Sequence, residues 1–225
     1  MSAPRSSDPP ASGLAGDGAV QPATELDGPG VTGRRRAAAL AGHLGDAGGA
    51  HAALGDEAPA VRATGLGALD RLGVLSGSDL AAALADPAPV VRRRACELAA
   101  RFPEVDLSAA LADPNPSVVE MAAWAAGERQ DVSVVAVLAT MATPGSGHRD
   151  PLCREAAVAA LGAIGEQAGL TAVLAALEDK PAIRRRAAVA LAAFTGPAVD
   201  RALHRCLGDR DWQVRQVAED LLAGE

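Results

Sequence analysis

The arginine triplets Arg92–Arg93–Arg94 and Arg184–Arg185–Arg186, two of the three in this 225-residue sequence, carry side chains suited by type to grip phosphates or carboxylates. Each triplet opens what reads as a helix, so its members must point in different directions, since successive helical residues turn by about 100°. Carboxylates stand near them at Glu97, Glu120 and Glu155. A metal or proton-transfer site would need more. His43, His51, His148 and His204 do not pair at i, i+4, and none sits in an HExxH pattern. Gly162, Gly165 and Gly169 have no Walker lysine and follow no strand, so they read as helix-packing or helix-end residues. No GxSxG turn presents a serine. Cys96, Cys153 and Cys206 are odd in number and far apart, which points to free thiols in a reducing compartment rather than a disulfide or zinc framework. Without a reactive constellation, no catalytic residue, cofactor or metal is expected.

The totals narrow the class. Nearly half the residues are apolar (49%), yet there are only two Phe, two Trp and no Tyr. Small side chains of this kind suit closely packed helices better than a sandwich. The net charge of −7 argues against nucleic acid as the partner. No run of 18 apolar residues is present, so no membrane span is expected. Residues 1–30, rich in Pro, Gly, Ser and Asp, lack a signal-peptide core and read as a disordered tail. The expectation is a cytoplasmic protein.

From residue 31 onward the chain repeats itself. "LGDEAPAVRATGLGALDRL" from Leu54, "LADPAPVVRRRACELAARF" from Leu84 and "LADPNPSVVEMAAWAAGER" from Leu111 share one pattern. "LEDKPAIRRRAAVALAAF" from Leu177 and "LGDRDWQVRQVAEDLLAGE" from Leu207 continue it. The anchors Val61, Val91, Val118, Cys153, Ile183 and Val214 lie 30, 27, 35, 30 and 31 residues apart. Each unit reads as two helices, a shorter A helix and a longer B helix. Val91, Ala95, Leu98, Ala99 and Phe102 form the buried face of one B helix. First helices are expected over 78–84, 131–141 and 197–207. The fold class is all-α: an α-solenoid (superhelix) of about six to seven helix pairs over residues 31–225, with a short loop insertion at 143–150.

The Leu-x-Asp…Val-Arg-x-x-Ala signature at about 30 residues resembles HEAT repeats, in particular the short bacterial kind of the phycobilisome-lyase type. The resemblance implies a ladder between neighbouring units, formed by the Asp at each turn (Asp56, Asp86, Asp113, Asp179, Asp209) and the Arg after each anchor (Arg62, Arg92, Arg154, Arg184, Arg215). Val119 departs from the pattern where an Arg is expected, and Cys153 replaces the anchor Val. HEAT-like deoxyhypusine hydroxylases hold iron with His-Glu pairs, whereas here every His precedes Leu, Ala or Arg. The resemblance also implies that the B helices line a concave surface.

Helical angles place Arg93 and Glu97, Glu120 and Trp124, Glu155, and Arg185 and Val189 on that outward row, with Met121 on the flank beside Trp124. The row is mixed in charge, unlike a phosphate-binding stripe. Trp124 sits on the polar side of its helix, where core packing does not call for an indole, and an exposed Trp is a common binding anchor. Trp212, near the start of the last helix, reads as cover for the solenoid end or a dimer contact. These residues point to a non-catalytic module that binds a protein partner through the groove. Two alternatives come with the resemblance: a DNA-binding or alkylated-base glycosylase-like protein, and a chromophore lyase or chaperone.

Overall fold

The computed structural model describes residues 30–224, so the expected disordered tail lies outside the described residues apart from Gly30. Twelve α-helices are present among them and no strand. Helix α1 (Val31–Leu44) leads the array. Five A helices follow: α2 (Ala47–Ala52), α4 (Gly77–Leu84), α7 (Val135–Ala142), α9 (Leu170–Ala176) and α11 (Pro197–Cys206). The B helices are α3 (Pro59–Arg71), α5 (Pro89–Ala99), α6 (Pro116–Glu128), α8 (Pro151–Ile164), α10 (Pro181–Ala190) and α12 (Trp212–Ala223).

Local chemistry fixes where these helices start and stop. A proline opens α3, α5, α6, α8 and α10, where its missing N–H belongs to the unpaired first turn. The side chains of Asn115, Asp150 and Asp211 accept from free N–H groups at the starts of α6, α8 and α12. Ser76 and Asp79 form a reciprocal capping box on α4. Gly165 ends α8 with φ 68°, a left-handed turn that a Cβ would strain.

Each B helix packs against the B helices before and after it, and α2, α4, α7, α9 and α11 pack on the B helix of their own unit. The result is an α-solenoid whose core runs almost unbroken from Ala41 to Ala218. All six anchors are 2% exposed or less. Burying a Val or Ile side chain in this way stabilises the fold by about 1.5–3 kcal/mol. Small residues let the backbones approach closely. A Cβ added at Gly162 on α8 would fall 2.7 Å from the Cβ of Ala190 on α10.

One unit departs from the two-helix plan. Between α5 and α6 the first half shrinks to the single 3-10 turn Ala110–Ala112. The anchor interval there is 27 residues, three short of the usual 30, and the missing residues are those of a helical turn. Arg129, at the end of α6, ties down the connecting segment by donating to the carbonyls of Phe102 (3.2 Å) and Val105 (2.7 Å). The insertion at 143–150 lies between α7 and α8 and folds back on itself: the amide of His148 donates to Met141 O at 2.9 Å.

Arginine–aspartate pairs brace successive units. Arg62 donates to both carboxylate oxygens of Asp86 at 2.7 Å. Arg92 does the same to Asp113, Arg154 to Asp179 and Arg184 to Asp209. Arg34, which is not among the arginines expected in the ladder, extends the row to Asp56. The remaining Nη1 of each arginine from Arg62 onward holds the turn of its own unit: Arg62 reaches Asp56 O, Arg92 reaches Asp86 O, and Arg154 reaches His148 O, each at 2.8 Å. Most of these carboxylates also accept the N–H two residues on, at 2.8 Å for Ala58, Ala88 and Asn115. The guanidinium bonds hold the carboxyls of Asp56, Asp86, Asp113, Asp179 and Asp209 below the usual range.

The row lapses once. Val119 stands where an arginine recurs and is fully buried. Residue 148, at the turn where the acceptor aspartate recurs, is a histidine whose Nδ1 accepts the amide of Asp150 at 3.1 Å. Donor and acceptor are missing together, at the α6–α8 junction. At the far end, the Arg215 side chain reaches, among the described residues, only the carbonyl of Asp209, at 2.8 Å.

Candidate functional site

A concavity opens on the B-helix face beside that lapse. It has a volume of about 490 Å³ and lies across α5, α6, α8 and α10. Of the eight groove residues expected from the sequence, it brings together six: Arg93, Glu97, Glu120, Met121, Trp124 and Glu155. Arg185 and Val189 line an adjoining depression toward α12. Arg185 is drawn to the next unit, donating to Gln213 Oε1 at 2.8 Å and Asp211 Oδ2 at 3.3 Å.

Trp124 projects from the third turn of α6 because Val118, Ala122 and Ala125 take the buried face of the same helix. Its side chain is 44% exposed. It forms a wall between the main groove and a second hollow lined by Asp70, Arg101 and Glu128. Met121 and Ala156 continue the apolar floor.

Leu152 and Arg186 also line the groove, and neither was expected there. Leu152 occupies the position just before the anchor, where it is 58% exposed. A large apolar residue at that outward position is the signal the sequence carried, and Val90 shares it. Arg186 lies on the flank of α10 and leans to Glu155 on α8, at 3.7 Å.

Charges ring the apolar floor. Arg94 pairs with Glu97 at 2.9 Å, one turn along the same helix. Arg93 and Glu120 have no hydrogen-bond or ion-pair partner among the described residues. The arginine triplet thus divides: Arg92 joins the bracing row, Arg93 faces open groove, and Arg94 lies along the helix surface. Arg184, Arg185 and Arg186 divide in the same manner.

Groups that could do covalent chemistry sit elsewhere. Cys96, Cys153 and Cys206 are free and buried. Burial pushes the Cys96 thiol up to about 12 and that of Cys153 to about 11, so neither forms a thiolate near neutral pH. His51 and His204 each bond a carbonyl one turn back on their own helices. Among the described residues no three His, Cys, Asp or Glu side chains converge so as to hold a metal ion. None of the described helices is long and apolar enough to cross a membrane.

Comparison with known proteins places the fold. The family described as HEAT repeats matches residues 77–149 and 143–223. No curated protein matches the sequence. Among solved structures, YibA of Escherichia coli is similar over 89% of this chain and 77% of its own, at 16% identity and a TM-score of 0.59. Human deoxyhypusine hydroxylase, solved with glycerol, is 21% identical over 84% of this chain and 78% of its own, with a TM-score of 0.45. A designed armadillo repeat protein also reaches 0.45, at 14% identity over 84% of this chain and 89% of its own.

Proposed function

The chain belongs to the HEAT-repeat family, and from that premise we propose that it is a non-catalytic binding module whose B-helix groove holds a segment of a partner protein against Trp124. The observation that carries this reading is the indole itself, half-exposed on the wall of a groove floored by Met121, Leu152 and Ala156. Capture desolvates the indole and the apolar floor, and a rim of charged residues around them keeps water out. The bracing pairs serve the same end by fixing α5 against α6 and α8 against α10, while apolar packing joins α6 to α8, so the groove is formed before the partner arrives. Three buried, unpaired thiols suit a reducing, cytoplasmic setting.

Replacing Trp124 by Ala tests the site. Loss of an interface-centre Trp costs roughly 2 kcal/mol or more, so affinity capture from the native cytoplasm falls about thirtyfold or further. The helical melt stays where it was, because the side chain is not part of the core. Equal recovery of the same partner by both forms would remove Trp124 from the site.

A further inference from the structure

The B-helix face carries two environments in sequence. Toward α1 and α3 lies a hollow of about 460 Å³, lined by Arg35, Arg71, Arg93 and Arg94 with no carboxylate among its lining residues. Toward α6 and α8 lies the apolar cleft of Trp124, rimmed by Glu97, Glu120 and Glu155. Arg93 belongs to both, so the two are continuous.

The basic end is a prepared one. Gly67 leaves room for Arg94, whose guanidinium lies 2.7 Å from the place a Cβ would occupy, and Glu97 holds the same side chain at 2.9 Å. Arg35 Nε donates to Thr64 Oγ1 at 3.3 Å. Arg71 and Arg93 have no partner among the described residues. Unpaired charge of one sign in a concave, low-dielectric surround concentrates the opposite charge. This happens in a chain of net charge −7, whose acidic surface elsewhere repels such a ligand.

We infer that the groove takes a partner segment in which a short run of Asp or Glu, seated among Arg35, Arg71, Arg93 and Arg94, is joined to an apolar side chain seated on Trp124. The inference rests on the groove reading above and adds the chemistry of the partner. Charge complementarity selects a peptide over a nucleic acid, because the phosphates of a duplex leaving the arginines would run onto Glu97, Glu120 and Glu155. Neighbouring helices sit about 8–10 Å apart, and two such steps lead from α3, at the middle of the basic hollow, to α6, so the two subsites are separated by about 16–20 Å. An extended chain covers that in about five residues.

The probe is a fluorescein-labelled peptide with three consecutive Asp, a Gly/Ser spacer of about five residues and one Phe, titrated against the full chain. Binding is expected to weaken about tenfold between roughly 50 and 300 mM salt. A peptide with Lys in place of Asp is expected not to bind. The exposed pair Arg71→Glu/Arg93→Glu reverses that preference, while Trp124→Ala weakens both the acidic peptide and the cellular partner. If Trp124→Ala releases the partner but the arginine pair changes nothing, the acidic-segment assignment is overturned and the groove reading survives. Tighter binding of a mixed-sequence duplex than of the peptide also overturns it. So does binding that appears only once Asp8, Asp17, Glu25 and Asp27 are neutralised to Asn or Gln, since the chain's own N-terminal segment would then be the occupant.

Discussion

The α8–α10 and α6–α8 junctions come from the same repeat and are held together differently. Across α8–α10, Arg154 grips both oxygens of Asp179 and a carbonyl of its own turn. Across α6–α8 there is no such bridge: buried Val119 faces the junction, and the His148 side chain bonds only within its own turn. The unbraced junction is also where the 143–150 loop enters and where Trp124 and Leu152 form the groove. A repeat can therefore give up its polar brace where apolar packing fills the gap. A buried ion pair offers little over well-packed apolar contacts in net stability, and its value lies in fixing geometry.

Restoring one half of the missing pair breaks this comparison most severely. Val119→Arg buries a guanidinium with no acceptor and is expected to cost about 3–5 kcal/mol in urea unfolding. Adding His148→Asp recovers part of that loss; a double variant no better than the single one would show that the junction cannot accept the brace.

Removing an existing brace costs less. Asp179→Ala leaves Arg154 buried without its bidentate acceptor, at about 2–4 kcal/mol. The same carboxylates set the acid behaviour. Their folded pKa values are depressed, so their contribution is present above the unfolded value of about 4 and is lost as pH falls through the lower folded values. Urea midpoints taken at pH 5 and pH 3 should diverge for the parent chain and diverge less for Asp179→Ala.

Arg215→Ala marks the small end of the scale. Among the described residues this arginine's side chain hydrogen-bonds only the Asp209 carbonyl, and its loss should cost about 0.5–1 kcal/mol, seen as earlier hydrogen exchange in α12 before any shift in the rest.

The repeat made the fold legible because anchors, turn aspartates and prolines recur in register, and each has a local physical role. The interval of 27 residues marked the short unit, but not that its first half would become a 3-10 turn held by Arg129. Arg34 stayed outside the expected ladder because the residue before it, at the anchor position, is Gly33 and not an apolar side chain. In the groove, angles around one helix placed Trp124, Glu97 and Glu120. They could not place Leu152 or Arg186, because a groove is made by the flanks of two helices leaning together, and that lean depends on the distance small residues allow.

The three cysteines have a consequence of their own. Cys96, Cys153 and Cys206 sit in α5, α8 and α11, spread along the array, all shielded from solvent and from ionisation. A thiol in that position can be alkylated only during a local opening, so its labelling rate is a clock for the segment around it. The chain thus carries three internal timers, one beside the basic hollow, one at the unbraced junction and one near the far end. Partner capture should slow the first two and leave the third running.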